Sequence, residues 1–230
     1  MIIWIASYPK SGNTYLRSVL SSYYFSVDGN FTFSLLDNIK SFPGIHYSRY
    51  KSNSKIEASK NWTNNQNYFF EKSKFNFVKT HNSMLPYEGN IFTSKEQTIG
   101  AIYIYRDPRN VITSFKNHYQ IDYDEVFDFM IDNKSFIIQN SYDGDYSNFT
   151  YLGSWNNHYI SWSSTKEFKT MLIKYEDLQE NKYEIFNDMI TFVNNLNGNK
   201  EPVNQDKLMQ SIKSTNFSNI SFSSLSILSL

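Results

Sequence analysis

The first twenty residues constrain this chain more than any other stretch. Ile2 to Ser7 is a short run of β-branched, aromatic and apolar side chains, which predicts a buried strand. It ends at Tyr8-Pro9-Lys10-Ser11-Gly12. Leu16, Val19, Leu20, Tyr23 and Tyr24 then recur at helical spacing. Strand, tight glycine turn and helix start make an anion site, because the first helical N–H groups point outward and the helix dipole is positive there. Pro9 stiffens the turn, and Gly12 lets the backbone come close to a ligand. Ser11, Asn13 and Thr14 add polar groups, and Lys10 adds charge. The same residues permit a plainer arrangement, with Ser11 capping the helix and Lys10 in solvent. Lys10 precedes Gly12, so the ATP-binding pattern GxxxxGK[S/T] is absent.

The remaining pattern alternates short apolar strands with helices. Phe75–Thr80, Gly100–Tyr105 and Thr170–Tyr175 are strand candidates. Helices are expected after Pro108 through Val111, Ile112 and Phe115, around Phe127, Met130 and Ile131, and over Tyr183–Val193. Residues 26–72 carry weak patterning and predict short helices and loops. The expected fold is α/β, a central mostly parallel sheet with helices on both faces, forming one domain over residues 1–230 with a Ser-rich tail over 214–230. Aromatics at 18% supply the large side chains such a core needs.

Composition removes several function classes. There is no cysteine, so thiol nucleophiles, iron–sulfur clusters and disulfides are excluded. Four scattered histidines form no zinc pattern. Lys+Arg and Asp+Glu each total 22, which gives no electrostatic reason to expect a nucleic acid polymer or an anionic membrane as partner. Any anion site is therefore local. No run approaches the about 18 apolar residues of a membrane span, and the start lacks the basic region of a signal peptide. The expectation is a soluble, cytoplasmic protein.

Two further segments carry chemistry. In "YIYRDPRNVITSFKNHY", residues 103–119, Arg106 follows a predicted strand end and Ser114 lies eight residues on, about two helical turns. Together they suit a phosphate, held bidentately and by one hydroxyl. Alternatively Arg106 pairs with Asp107 or Glu176, and Ser114 faces a neighbouring helix. In "FVKTH", residues 77–81, His81 follows a strand with Lys79 two residues before it, so a base and a charge share one face. A lone histidine also serves structure. His46, His118 and His158 have no motif around them and are read as structural. Asp124, Glu125 and Asp128 are read as a solvated helix face.

Together these segments resemble the sulfotransferase family that uses 3′-phosphoadenosine 5′-phosphosulfate. Tyr8-Pro9-Lys10-Ser11-Gly12-Asn13-Thr14 resembles its 5′-phosphosulfate loop, Lys79-Thr80-His81 its K-T-H segment, Arg106…Ser114 its 3′-phosphate pair, and Tyr175-Glu176-Asp177-Leu178 its Y-E-D-L signature. The resemblance implies a P-loop-like three-layer αβα fold and metal-independent sulfuryl transfer to a hydroxyl or amine of a small-molecule or glycan acceptor, leaving adenosine 3′,5′-bisphosphate. It implies His81 as base beside Lys79 as its charge partner, Lys10 at the transferring group, and Ser11, Gly12, Asn13 and Thr14 around the 5′-phosphate. Arg106 and Ser114 would hold the 3′-phosphate. Tyr15, Tyr175 and Phe217 would lie near the adenine. One departure stands out: no Arg, Lys or Gly follows Phe217, where the family carries an Arg-Lys-Gly loop. Arg106 and Ser114 then suffice, or Arg109 or Lys116 substitutes, or the chain is a catalytically impaired nucleotide-binding relative. A P-loop phosphotransferase is the remaining alternative.

Overall fold

All six residues of β1 (Ile2–Ser7) are buried, which places that strand inside a sheet rather than at its edge. A computed structural model describes residues 1–138 and 144–215. In it β1 lies between β3 (Asn76–Thr80) and β4 (Thr98–Tyr105). The five-stranded sheet has the order β2-β3-β1-β4-β7, with β2 (Lys40–Ser41) and β7 (Lys169–Lys174) at its edges. Every pairing in it is parallel.

Alternation along β1 splits the interior in two. Ile3 and Ile5 face a core built with Leu16, Val19 and Leu20 of α1 (Asn13–Phe25), Phe186, Met189, Ile190 and Val193 of α8 (Lys182–Asn197), and Leu208 of α9 (Gln205–Ser214). Ile2, Trp4 and Ala6 face the opposite core, with Ala58 of α2 (Lys55–Lys60), Trp62 of α3 (Trp62–Phe69) and Trp162 of α6 (Trp155–Ser163). The result is the expected three-layer α/β arrangement. A third apolar cluster joins Tyr8 to Val111 and Phe115 of α4 (Pro108–Tyr119) and to Val126 and Met130 of α5 (Tyr123–Ile131). Short α7 (Asp177–Glu180) follows β7. β5 (Phe136–Ile137) and β6 (Thr150–Tyr151) pair antiparallel, apart from the main sheet.

The sequence reading matches β1, β3, β4 and β7 within one or two residues, and it finds α4 and α8, which continue one turn past the expected pattern to Tyr119 and Asn197. It passed over β2, α6 and α9. The weak patterning expected over 26–72 resolves into two 3-10 turns, β2, α2 and α3. The acidic group of α5 has a structural task in part: Glu125 and Asp122 form a capping box at that helix's start. Among the described residues no helix is long and apolar enough to cross a membrane.

His158 fixes the packing between α6 and the strand ends. It is fully buried. Tyr103 Oη donates to its Nδ1 at 2.9 Å, and its Nε2 donates to the carbonyl of His81 at 2.9 Å. Both nitrogens are thus committed to the neutral ring. Burial, partly opposed by the His81 carbonyl, pushes its pKa down to about 4. The unfolded chain binds this proton near the ordinary value of ~6.5, so the unfolded state holds more protons between those limits. Stability from this group is full above ~6.5 and is lost as pH falls toward 4, by about 3 kcal/mol. Urea titrations at pH 7, 5.5 and 4 should show that decline, and it should be shallower in His158→Gln. An equally steep decline in that variant would remove His158 as its source.

Candidate active site

The turn after β1 is tight because two of its residues take positive φ. Lys10 sits at 66° and Gly12 at 95°. A lysine there is strained, of the order of 1 kcal/mol, and such strain collects at functional sites. Gly12 answers a further demand beside the one expected of it. A Cβ at this position would lie 2.3 Å from Cδ2 and 2.6 Å from Cε2 of Tyr175, so the glycine makes room for that ring. Asn13 braces the turn: its Nδ2 donates to the Ile5 carbonyl at 3.1 Å and to Ser7 Oγ at 3.2 Å. Ser11 does not cap α1. Its hydroxyl is buried and has no partner. Helices α2, α4, α6 and α9 each begin with a side-chain cap, whereas α1 begins with none. Its first N–H groups therefore remain available to a ligand.

A cavity of about 270 Å³ opens above this turn. Pro9, Lys10, Gly12, Asn13 and Thr14 form one wall, Lys79 and His81 a second, and Arg106, Ser114 and Tyr175 a third. The ends of β1, β3, β4 and β7 bring them together, where parallel sheets place ligands. No carboxylate lies among the lining residues. Arg106 Nη1 donates to the Lys10 carbonyl at 3.3 Å, and its guanidinium carbon stands 4.6 Å from the centre of the Tyr175 ring. Its Nε is buried without a partner. Neither carboxylate that could have paired with it forms an ion pair with it, and Glu176 keeps its Oε2 buried without a partner. Asp107 accepts from Arg109 Nε at 3.0 Å and Nη2 at 2.5 Å. Glu176 accepts from the Asp107 amide at 3.1 Å and from Asn110 Nδ2 at 3.2 Å.

His81 has a defined tautomer. Its Nδ1 lies 2.9 Å from the Ser7 carbonyl, an atom that can only accept, so Nδ1 carries the proton. Nε2 keeps its lone pair. Burial, and then the nearby charge of Lys79, hold the imidazole pKa well below its ordinary value, so the ring is neutral. Lys79 is depressed to about 7, by burial first and by Arg17 second. Both side chains border the cavity, yet protein surrounds them on the other sides. Lys10 is also depressed, by burial and then by Arg106. Cations held together in this way suit a polyanion, and a neutral imidazole beside them suits proton acceptance.

Lys10, Gly12, Asn13, Thr14, Lys79, His81, Arg106, Ser114 and Tyr175 thus border one cavity, with Ser11 beneath it. Tyr15 does not border it. Tyr15 packs edge-on to Phe186 at 5.7 Å between ring centres, and burial raises its hydroxyl pKa to about 12. Phe217 lies outside the described residues. Arg109 and Lys116, considered as further basic residues for the 3′-phosphate, do not border the cavity. Arg109 is tied to Asp107, and Lys116 Nζ stands 4.7 Å over the ring of Tyr123. The sequence reading missed His118, which lines the cavity one turn after Ser114. The i, i+4 spacing from Ser114 was the available signal. Burial and then Lys10 lower its pKa.

The Gly12–Tyr175 contact is open to direct test. Gly12→Ala adds a Cβ at positive φ, costing about 1–2 kcal/mol, and also displaces the ring. In urea titrations the substitution should cost more in the otherwise unaltered chain than in a Tyr175→Ala background. Equal costs would mean that the ring does not set the requirement for glycine.

Comparison with known proteins follows the same lines. No curated protein matches the sequence significantly. Among solved structures, mouse sulfotransferase SULT7A1 complexed with PAP is similar, with 21% identity and a TM-score of 0.55 over 94% of this chain and 64% of that one. Retinol dehydratase with androsterone and inactive cofactor PAP shows 14% identity and a TM-score of 0.58, again over 94% and 64%. Retinol dehydratase with retinol and PAP shows 13% identity and a TM-score of 0.57, over 94% and 65%. The chain thus spans just under two thirds of their length, and at these identities the likeness is one of fold. Residues 2–228 match the sulfotransferase domain family. By that match, which runs almost from end to end, the chain belongs to the sulfotransferase domain family.

Proposed function

We propose that this protein transfers a sulfuryl group from 3′-phosphoadenosine 5′-phosphosulfate to a hydroxyl or amine of a small-molecule or glycan acceptor. The observation that carries the reading is the cavity wall itself. Lys10, Lys79 and Arg106 converge there without a carboxylate, around a buried Ser11 hydroxyl and an Arg106 Nε that lack partners. Unpaired buried polar atoms are costly unless a ligand completes them. The structural neighbours add support, since they were crystallised with PAP, and two of them with androsterone or retinol.

The donor, when bound, supplies an activated sulfuryl group whose transfer spreads negative charge, as in phosphoryl transfer. Ser11, Gly12 and Thr14, with the free amides of α1, would hold its 5′-phosphate. Arg106 and Ser114 would hold the 3′-phosphate. Lys10 and Lys79 would meet the charge that develops at the transferring group. His81, with Nδ1 tied to Ser7, offers Nε2 to the acceptor's proton as the acceptor oxygen or nitrogen attacks sulfur. The bond from sulfur to the phosphate oxygen breaks, and adenosine 3′,5′-bisphosphate leaves.

Two measurements test this. Saturating adenosine 3′,5′-bisphosphate in EDTA should raise Tm by about 5–10 °C, because a ligand at 100-fold its Kd adds about 2.7 kcal/mol. No shift would count against a working nucleotide site, and a shift that requires magnesium would favour a phosphotransferase. His81→Ala should lower turnover by about 10²–10⁴-fold in a labelled-donor assay over a panel of hydroxylated acceptors. Its affinity for the bisphosphate should stay within about threefold, since the ring is assigned to proton transfer. Near-normal turnover would rule out His81 as the base.

A further inference from the structure

The groups assigned to the donor leave one wall of the cavity without a task. His118 and Tyr119, at the C-terminal end of α4, and Ile137 of β5 form it. Ile137 is tied to the side that carries the base. It pairs with Thr150 of β6, and the carbonyl of the next residue, Tyr151, accepts from the amide of Ser83 at 2.8 Å and from its hydroxyl at 3.1 Å. Ser83 lies two residues beyond His81, so the β5–β6 pair is fastened to the end of β3. His118 stands within reach of the charge on Lys10. The phosphate anchors take up the other walls. An acceptor that brings its proton to Nε2 of His81 therefore lies against this one.

The chemistry of the wall narrows what fits. The His118 ring has no hydrogen bond to any described residue, and it meets Tyr119 edge-on with ring centres 4.6 Å apart. Neutral at physiological pH, it presents one N–H and one lone pair, the two functions that a hydroxyl group matches. The Tyr119 ring is 47% exposed and packs on Phe115, with 4.9 Å between centres. It offers a braced flat surface with an apolar body. Lys10, Lys79 and Arg106 in the same cavity repel a protonated amine. Apolar surface is scarce: besides the tyrosine rings, only Pro9 and Ile137 bring apolar side chains to the lining. A long apolar alcohol would bury little of its surface against matching groups.

We propose that His118 selects the acceptor, and that the acceptor is a neutral ring bearing at least two hydroxyl groups, as in a sugar; this rests on the sulfotransferase reading given above. One hydroxyl meets Nε2 of His81 and is sulfated. A second hydrogen-bonds the imidazole of His118 while the ring lies on Tyr119. The proton of the attacking hydroxyl passes to His81, its oxygen bonds sulfur, and the bond from sulfur to the 5′-phosphate oxygen breaks. His118 takes no part in that proton transfer. It determines which hydroxyl reaches the base.

Steady-state transfer by the full chain from labelled donor tests this on matched acceptors: methyl glucoside against its monodeoxy analogues, and cyclohexane-1,2-diol against cyclohexanol. In the unaltered chain, loss of one hydroxyl other than the sulfated one should lower kcat/KM by about tenfold, the scale of one hydrogen bond whose partner is left unpaired. In His118→Phe the same loss should matter by less than about twofold, because no partner remains to be left unpaired. His118→Gln, which keeps a donor and an acceptor, should retain most of the discrimination. Affinity for adenosine 3′,5′-bisphosphate should stay within about twofold in both variants, which separates acceptor choice from general damage. Equal kcat/KM for the matched acceptors, discrimination unchanged in His118→Phe, or transfer to none of them would overturn the assignment. Should His118→Phe not fold, the ratio in the unaltered chain decides by itself. A chain that binds no bisphosphate fails the sulfotransferase reading. One that binds it and transfers only to apolar alcohols fails this proposal alone.

Discussion

A short column of three side groups holds the functional end of this molecule together. Gly12 has no Cβ, so the ring of Tyr175 lies on its backbone, and the guanidinium of Arg106 stands over that ring at 4.6 Å. The column joins the turn after β1 to the ends of β4 and β7. Two hydrogen bonds close it: Tyr175 N donates to the Tyr105 carbonyl at 2.7 Å, and Arg106 Nη1 donates to the Lys10 carbonyl at 3.3 Å. Any larger residue at position 12 pushes the ring off, and with it the support of Arg106. Lys10 holds its positive φ because this column fixes both sides of the turn.

That rigidity matters because the electrostatics of the cavity work against folding. Lys10, Lys79 and Arg106 border one opening, and among the described residues no carboxylate forms an ion pair with them. Repulsion alone would swing the long side chains into solvent. The strands prevent it: Lys79 is anchored within β3 between Ile5 of β1 and Ser41 of β2, and Arg106 by its stack on Tyr175. The apolar cores on either side of β1 carry the cost. Each buried Ile, Leu or Phe there contributes about 1.5–3 kcal/mol, enough to offset several unfavourable charges. The site is thus preorganised, with its donors in place before an anion arrives.

Much of this was legible in the sequence, for reasons that differ by element. β1 and β4 are buried on both faces, so they appear as continuous apolar runs, and the turn after β1 is marked by Pro9 and Gly12. α8 shows its helical period because one side lies on the sheet. β2 could not be seen, because two exposed residues, Lys40 and Ser41, carry no apolar pattern and pair only through their backbone with β3. α6 was hidden for another reason: its buried positions are His158 and Trp162, and a polar ring does not register as part of an apolar stripe. A second demand on Gly12 has no local signal, since the ring that fills its Cβ space arrives from position 175.

The two histidines at the strand ends show why residue type alone does not settle such questions. His158 has both nitrogens engaged, by Tyr103 and by the carbonyl of His81. It has no lone pair to offer. His81 has only Nδ1 engaged, by Ser7. Its free Nε2 exists because the backbone that carries it is held from two sides: by Ser7 at the ring and by His158 at the carbonyl. Exchange of the two environments would exchange the two roles. The lone pair that His81 leaves open therefore depends on a structural histidine at position 158. What distinguishes them is the location of the nearest carbonyl oxygen, a fact of the tertiary fold that no local pattern encodes.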